Sequence, residues 1–271
     1  MSYTAQDVKK LRDATGVGMM DAKKALEATG GNMDEASTWL LEKGLAKSAE
    51  RTDRENTEGA VALGRAGRAA ALVELKSETD FVAKSPDFTA LAQAAADAVA
   101  AGGEGALADL DTRLDELKIS LKENLAWGRV ARIDPADGDG FDAYLHVQNG
   151  RGVNGVLVEV AGGDDDLAHQ VALHISFARP GYLSRDEVPA TEVEEQRAAF
   201  ENQTRNEGKP EQAMAKIVEG KLNGWFKRVS EGKGKTGGAL NEQSWIHDEK
   251  QTVQQALGAA TIVSFAQIEI G

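Results

Sequence analysis

The sequence predicts an α+β fold: an N-terminal three-helix module, a core of two subdomains with small antiparallel sheets and packed helices, and an antiparallel helical hairpin inserted into the second subdomain. Three observations predict it. Apolar residues recur at helical spacing through the first forty-four residues. Residues 70–99 and 155–175 repeat one plan, in which a strand-like run leads to a helix-like run. Long helical patterns then separate the second repeat from a final alternating strand.

Composition and periodicity divide the chain into consecutive parts. We predict the three-helix module at residues 1–45, a linker at 46–56, the first core subdomain at 57–127, the second core subdomain at 128–183 and 236–271, and the inserted helical hairpin at 184–235. In the linker the apolar period disappears and charged residues dominate, which is typical of a domain boundary and allows partial helix.

The composition limits the function classes. At 271 residues, with 41% hydrophobic and 28% charged residues, the chain is of ordinary globular type. Its net charge of −13 argues against a grip on phosphate backbones, so we expect no direct nucleic-acid partner. No apolar run approaches the roughly 18 to 20 residues that span a bilayer, so we expect a cytoplasmic protein with no membrane partner. The absence of cysteine excludes disulfides and thiolate sites.

Capping signals mark the helices of the module. Thr4 with Asp7, and Asn32 with Glu35, are capping boxes that begin the first and third helices. Gly44 is predicted to close the third helix.

The turn before the second helix carries three apolar residues, Val17, Met19 and Met20. The helix itself is predicted over residues 19–29 and includes Lys23. Two interpretations are open: the three residues belong to a small core, in which methionine is a common gap-filler, or they contact a partner. Three apolar side chains crowded into one turn favour the contact.

Both repeats are predicted to contain a β-hairpin and a helix. In the first, strands over 59–63 and 69–75 flank a glycine turn, an alanine-rich helix over 86–101 can approach the sheet closely, and an amphipathic helix follows over 107–125. In the second, the predicted elements are strands over 128–133, 141–147 and 153–160, a helix over 167–178 and a returning strand over 261–270.

Residues 184–232 predict the antiparallel helical hairpin. Trp225 and Phe226 lie on its second helix, and two interpretations stand equally: they form a protein interface, or they close the hairpin on the core. The glycine- and lysine-rich segment 232–240 at the hairpin's exit is left without a predicted conformation.

The segment 77–84 is where the first repeat departs from the second. Sixteen positions separate the strand from the helix in the first repeat, but only seven do so in the second. The fold can therefore close without this extra loop, which places Phe81 where loops normally lie on the surface. Two interpretations are open: Phe81 folds back as a satellite core residue, or it contacts a partner.

Patterns for catalysis and metal binding are absent from the sequence. The four histidines form no zinc-binding pair, and there is no nucleophile elbow or dinucleotide fingerprint. Residues 134–140 lack the ligand spacing of a calcium loop, and residues 232–236 lack the first glycine and the preceding strand of a phosphate-binding loop. We therefore expect no cofactor, no metal and no enzymatic activity, and predict a binding protein.

The elongation factor Ts family carries a signature loop similar to Glu78-Thr79-Asp80-Phe81-Val82-Ala83, and other segments similar to residues 11–26, 208–210 and 216–222. The resemblance implies the fold described above and a guanine-nucleotide exchange factor for elongation factor Tu in translation elongation, which binds that partner both GDP-bound and nucleotide-free. It also implies a role for four residues, which enter the partner's nucleotide domain and disturb its magnesium and phosphate contacts: Thr79, Asp80, Phe81 and Val82. Whether Asp80 fixes the loop or bonds to the partner is left open.

The resemblance implies further contacts. The three-helix module looks like a ubiquitin-associated-type domain, whose first interhelical turn binds partners, so Met19, Met20 and Lys23 are implied to dock on the partner with Val17 at the same turn. Another contact is placed at His146, near the end of a strand. Homodimers occur in parts of the family, and we do not assume one. Some relatives continue past the last strand with a helix, so we expect affinity here to rest more on the loop and the first module.

Two other functions remain open on the residues alone. One is a non-catalytic adaptor that binds a different partner through the three-helix module. The other is an enzyme whose site lies between the two repeats. Binding of elongation factor Tu separates the exchange factor from the adaptor, and turnover of a small molecule by the isolated chain would support the enzyme.

Overall fold

The computed structural model describes residues 3–229 and 238–271 and confirms the predicted α+β class with small antiparallel sheets and three N-terminal helices. Its helices are α1 (Ala5–Thr15), α2 (Met19–Ala28), α3 (Met33–Ala49), α4 (Asp80–Ala83), α5 (Pro86–Gly102), α6 (Asp111–Leu121), α7 (Asp165–Ala178), α8 (Ala190–Asn206), α9 (Glu211–Phe226) and α10 (Val253–Leu257). Its strands are β1 (Glu58–Ala66), β2 (Ala69–Ser77), β3 (Ala126–Ile133), β4 (Gly140–Gln148), β5 (Arg151–Ala161), β6 (Ser244–Trp245), β7 (Asp248–Thr252) and β8 (Thr261–Glu269). None of the helices in these two ranges combines the length and the apolar character needed to cross a membrane.

The chain divides into two compact units. The first comprises Met1–Arg132, Leu145–Val153 and Ile268–Ile270, and the second comprises Ile133–Tyr144, Asn154–Gln267 and Gly271. The division passes through β4, β5 and β8, so the tip of the β4–β5 hairpin belongs to the first unit. The five-part division by sequence stays a prediction, and its boundary between residues 235 and 236 lies outside the described residues.

The predicted caps begin the module's helices. The side chain of Thr4 accepts a hydrogen bond from the amide of Asp7, and the Asp7 carboxylate accepts one from the amide of Thr4 at 2.8 Å, which confirms the first capping box. Asn32 caps α3 by accepting hydrogen bonds from the amides of Asp34 and Glu35. The Glu35 carboxylate accepts from the Asn32 side chain, so this second cap differs in detail from the predicted box.

Gly44 does not close α3, and that prediction is wrong. The helix continues to Ala49, so it includes the first residues of the predicted linker. The reason for a glycine at this position is packing: a Cβ on Gly44 would lie 2.6 Å from side-chain carbons of Ile119 on α6. The glycine that looked like a helix end is a notch in the helix surface.

The first hairpin forms as predicted. Strands β1 and β2 pair antiparallel, with Ala66 opposite Ala69 and Gly67 in the turn at a φ of 61°. Helix α5 approaches the sheet so closely that a Cβ on Gly64 would lie 2.1 Å from the carbonyl oxygen of Ala96. The single helix predicted over 107–125 is instead a 3₁₀ segment, Glu104–Leu110, followed by α6.

Strand β3 joins the first sheet, in the order β1-β2-β3, so the prediction that residues 128–133 open the second repeat is wrong. Glu74 on β2 accepts three hydrogen bonds from Arg129, one from its amide and two from its guanidinium, all at 2.9 Å. Gly128 makes room for this pair, because a Cβ there would lie 2.5 Å from Glu74 Oε2. Burial raises the pKa of Glu74, but the Arg129 hydrogen bonds outweigh it and hold the pKa below its ordinary value.

The second sheet has the order β4-β5-β8, so the last strand completes the second repeat as predicted. Helix α7 supplies Val171 and Ile175 to the core of the second unit. His174 on the same helix is fully buried, and its Nε2 lies 3.1 Å from Oε1 of Gln243. Burial lowers the pKa of His174 to about 4, so this histidine is a neutral core residue at physiological pH.

Helices α8 and α9 pack against each other in the second unit. Trp225 and Phe226 are buried in a cluster with Val218 and Leu222, and the two aromatic rings lie 4.9 Å apart between centroids. The core interpretation of these two aromatic residues is therefore correct. Most of the segment 232–240 falls outside the described residues.

We predict that Gly64→Ala destabilises the protein, because the new methyl group would collide with the α5 backbone rather than with a movable side chain. Overpacking of this kind lowers the free energy of unfolding by about 1–3 kcal/mol. The matched control is Gly105→Ala, whose Cβ would meet nothing within 4 Å. Urea denaturation measures both variants, and equal midpoints for the two would contradict the close approach of α5 to β1.

Candidate partner-binding site

The extra loop of the first repeat is a capped helical turn. Thr79 is the N-cap of α4, and its hydroxyl accepts a hydrogen bond from the amide of Val82 at 3.3 Å. Ser77 is fully buried at the end of β2 and donates its hydroxyl to the carbonyl oxygen of Thr79 at 3.0 Å. The two hydroxyls fix the path of the chain into the turn.

One carboxylate holds the start of this turn from a distant part of the sequence. Glu123 accepts hydrogen bonds from the amide of Glu78 at 3.0 Å, from the amide of Thr79 at 3.2 Å and from the Thr79 hydroxyl at 2.6 Å. Hydrogen bonds to a charged acceptor are shorter and stronger than neutral ones. Glu123 therefore satisfies two backbone donors and one side-chain donor at the base of the loop.

A second carboxylate returns the contact. Glu78 Oε1 accepts a hydrogen bond from the amide of Asn124 at 2.7 Å, and Arg54 Nη1 lies 3.4 Å from Glu78 Oε2. The side-chain amide of Asn124 in turn donates hydrogen bonds from Nδ2 to the carbonyl oxygens of Thr52 and Arg54. The loop and residues 123–124 are thus joined by hydrogen bonds running in both directions.

Phe81 points away from the protein. Its exposed fraction is 83%, the highest among the large hydrophobic residues that the structure describes as exposed. The next two residues face the opposite way: Val82 packs partly against the first core, and Ala83 is fully buried in it. The interpretation of Phe81 as a satellite core residue is therefore wrong, and the exposed ring remains a candidate contact.

Asp80 pairs within the loop, where its carboxylate accepts a hydrogen bond from the ammonium group of Lys84, one helical turn later. This hydrogen bond, together with the charges of Lys84 and Arg151, lowers the pKa of Asp80 below its ordinary value. In the free protein, Asp80 therefore acts as an internal brace of α4.

The module's candidate residues separate into buried and exposed. Val17 is only 7% exposed and belongs to the module's core, so its prediction as an exposed contact is not supported by its position. Met19 and Met20 begin α2 and are 47% and 63% exposed. Lys23 on the same helix is half-exposed and lies 3.6 Å from Glu27. The turn thus has one apolar residue facing inward and two facing solvent.

His146 is exposed near the end of β4, at the hairpin tip that belongs to the first unit. The same tip carries Arg151, which donates hydrogen bonds to the carbonyl oxygen of Gly59 and to the Glu58 carboxylate. Because the loop and the module also belong to the first unit, all the predicted contact residues lie in one unit.

Sequence reasoning missed Glu123 and Asn124. The helical periodicity over 107–125 placed both of them in a helix, whereas α6 ends at Leu121 and Lys122 adopts a left-handed φ of 61°. Lysine is not a usual residue for that conformation, so no local signal marked the helix end. The contact also spans 44 residues from Thr79 to Glu123, which no periodicity can register.

The site presents an exposed aromatic ring above a group of carboxylates that hold the loop. Glu78, Asp80 and Glu123 are all engaged in holding the loop, and Phe81 is exposed above them. Within residues 3–229 and 238–271, no group of three or more histidine or carboxylate side chains is placed to hold a metal ion.

Fold and site together define a class of protein: an α+β chain with three N-terminal helices that presents an exposed aromatic residue on a braced loop of its first sheet unit. The profile of the family described as Elongation factor TS matches residues 78–271. The chain belongs to the elongation factor Ts family, as the resemblance of its loop indicated.

Similarity to individual members extends over the whole chain. Elongation factor Ts from Clavibacter michiganensis subsp. michiganensis is 40% identical over 285 residues, covering 100% of this chain and 99% of the relative. The protein of the same name from Saccharopolyspora erythraea is 42% identical, covering 100% and 98%, and that from Deinococcus deserti is 40% identical, covering 98% and 99%. Residues 1–77, which lie outside the matched profile, are thus included in the alignments with these relatives.

We predict that Glu123→Ala loosens the loop. The change leaves the amides of Glu78 and Thr79 without their acceptor, and each lost hydrogen bond to a charged group is worth about 1.5–3 kcal/mol. Native-state hydrogen exchange at these two amides should accelerate by roughly tenfold or more. Glu116→Ala removes an exposed carboxylate from α6 and should leave both amides unchanged; equal protection in the two variants would contradict the role of Glu123.

We predict that Lys84→Gln raises the pKa of Asp80 towards the ordinary aspartate value of about 3.9. Because the folded-state pKa is lowered, the brace stabilises the protein at neutral pH and is lost as the pH falls through that lowered value. Carboxyl-carbon NMR titration of Asp80 measures the shift. Lys9→Gln on α1 is the charge-matched control, and an Asp80 midpoint that does not move in Lys84→Gln would refute the pairing.

Proposed function

We propose that the chain is a guanine-nucleotide exchange factor for elongation factor Tu in translation elongation. It acts by binding that protein and promoting release of GDP, rather than by covalent catalysis. The observation that carries the proposal is the exposed Phe81 on a braced turn, at the position of the family's signature loop. Membership of the elongation factor Ts family supports the same process.

The exchange follows from linkage between two ligands. If the factor binds nucleotide-free elongation factor Tu more tightly than the GDP-bound form, it must weaken GDP binding by the same ratio. A side chain that occupies space near the magnesium and phosphate site supplies that difference. We assign this wedge to residues 79–82, with Phe81 as the inserted ring and Val82 at its base.

The ring is suited to such a contact because it is exposed before binding. An aromatic side chain can bury about 150–250 Å² when it enters a pocket. The turn beneath it is already fixed by Thr79 and Glu123, so little conformational freedom is lost when the partner binds. Asp80 contributes by bracing α4 through Lys84.

The module and the hairpin tip supply further contacts in this proposal. Met19 and Met20 are exposed, flexible apolar side chains at the start of α2, and Lys23 follows one turn later. These three residues dock on the nucleotide domain of elongation factor Tu, and His146 adds a contact from the hairpin tip. Val17 supports the turn from inside the module instead of touching the partner.

We predict that Phe81→Ala lowers kcat/KM for nucleotide exchange by roughly 30-fold or more, since truncating a central anchor costs about 2 kcal/mol or more. The measurement is release of a fluorescent GDP analogue from elongation factor Tu in excess unlabelled GDP. The matched control is Phe177→Ala, which removes a ring that is 65% exposed on α7 of the second unit.

The outcomes separate function from mechanism. Strong acceleration by the unmodified chain and by Phe177→Ala, with a sharp fall in Phe81→Ala, supports both. Equal acceleration by all three proteins keeps the exchange function and rejects the wedge. No acceleration by the unmodified chain rejects the exchange function and leaves the adaptor as the alternative.

A further inference from the structure

The end of α6 and the residues just after it contact the supports of both surfaces that the proposed function assigns to the partner. We call residues 118–124 the α6 bracket. On one side, Ile119 packs against the module's core, and a Cβ on Gly16 would lie 3.3 Å from Ser120 Cβ. On the other side, Glu123 holds the base of the loop that carries Phe81. One short segment therefore contacts the turn before α2 and the signature loop.

The contact with the module depends on a notch in α3. The notch is Gly44, where an added Cβ would lie 2.6–2.7 Å from three side-chain carbons of Ile119. Real Cβ atoms do not approach other carbons so closely, so no residue with a side chain fits there without moving Ile119. Glycine is also a poor helix former in the interior of α3, which indicates that packing, and not helix propensity, favours it.

Two polar contacts lie beside the packing of Ile119 against Gly44. Arg51, just after α3, donates from Nη2 to the carbonyl oxygen of Lys118 at 3.3 Å. Lys122 Nζ lies 4.0 Å from the carboxylate of Asp21 on α2. The second pair is long and half-exposed, so its contribution is small. The packing of Ile119 and the Arg51 hydrogen bond therefore contribute more to the contact between the module and α6.

The docking contact is narrow. Clefts of about 620 and 460 Å³ lie beside it, and the lining of both includes Val17, Leu40 and Ile119. Ile119 is therefore the apolar side chain of α6 that packs on the module's core, and it lies between two open clefts. A contact of this kind can be broken by a single substitution without dismantling the module's own core.

We propose that the α6 bracket fixes the module relative to the signature loop, so that Met19, Met20 and Phe81 meet the partner as one preformed surface. This inference rests on the proposed exchange function. Ile119 and Gly44 are positioning residues, since they act through the placement of the two contact surfaces. Fixing two binding surfaces in the geometry of the complex raises the effective concentration of the second contact once the first has formed.

Docking can be measured without the partner, because the chain has no cysteine of its own. A double variant, Gly44→Cys with Ile119→Cys, places one thiol on each side of the notch, where a Cβ on Gly44 would lie 2.6–2.7 Å from side-chain carbons of Ile119. We expect rapid cross-linking under mild oxidation. A matched pair, Gly105→Cys with Ile119→Cys, should not cross-link, and equal rates for the two pairs would overturn the docked position.

Undocking variants test the consequence for exchange. Ile119→Asp removes the apolar contact, and Gly44→Val fills the notch without adding charge. Both should raise the half-saturating concentration for GDP release by about threefold to tenfold, with the maximal rate kept because Phe81 and its brace are untouched. Ile119→Val should behave as the unmodified chain. Thr112→Asp, an exposed position on the same helix, controls for the added carboxylate.

The cross-linked double variant completes the test. Locked in the docked position, it should keep the half-saturating concentration of the unmodified chain, and reduction should not improve it. Loss of exchange on cross-linking, or no change in Ile119→Asp and Gly44→Val, would overturn the inference. Absence of acceleration by the unmodified chain would instead contradict the proposed function, while the cross-linking rates would still report the docking.

Discussion

An aromatic ring that stays in water must be kept from collapsing onto the nearest apolar surface. Burying a phenylalanine side chain gains about 1.5–3 kcal/mol, and the core of the first unit lies directly below Phe81 through Val82 and Ala83. Against this, Glu123 accepts three hydrogen bonds at the base of the turn, each worth about 1.5–3 kcal/mol as a bond to a charged group. Rotating the turn inward would break that set, so the paired backbone keeps Phe81 exposed.

The position of Glu123 depends in turn on the first sheet. Leu125 is buried in the core, and β3 begins at the next residue, so the chain leaves the loop's brace directly into the sheet. Strand β3 is fixed beside β2 by Glu74 and Arg129, a pair whose carboxylate is nearly buried and whose three hydrogen bonds compensate for its desolvation. The Glu74 carboxylate thus fixes the position of β3, and the Glu123 carboxylate, just before β3, holds the loop.

Features of the fold that depend on interactions between residues close in sequence were predicted correctly. The cap at Thr4, the hairpin turn at Gly67, the alternating last strand and the loop as an insertion relative to the second repeat all follow from short spacings. Contacts between distant segments decided the rest. A glycine at position 44 is compatible both with a helix end and with close packing against Ile119. Only the position of α6 in the fold distinguishes these two roles. The sheet that β3 joins and the residue that braces Thr79 depend on such contacts too.

Under the proposed exchange function, the brace on the loop affects discrimination between the partner's two states more than it affects affinity. An exchange factor weakens GDP only by the ratio of its affinities for the two states of its partner, so a contact that is equal in both states contributes nothing. A soft loop would move aside when the nucleotide is present and would bind both states alike. A turn held by Glu123 and by the Asp80–Lys84 pair resists that movement. In the proposed mechanism, a conflict between Phe81 and the nucleotide-bound site would therefore appear as weaker binding of that state. On this argument, loosening the loop should reduce the acceleration of exchange more than it reduces binding to the nucleotide-free partner.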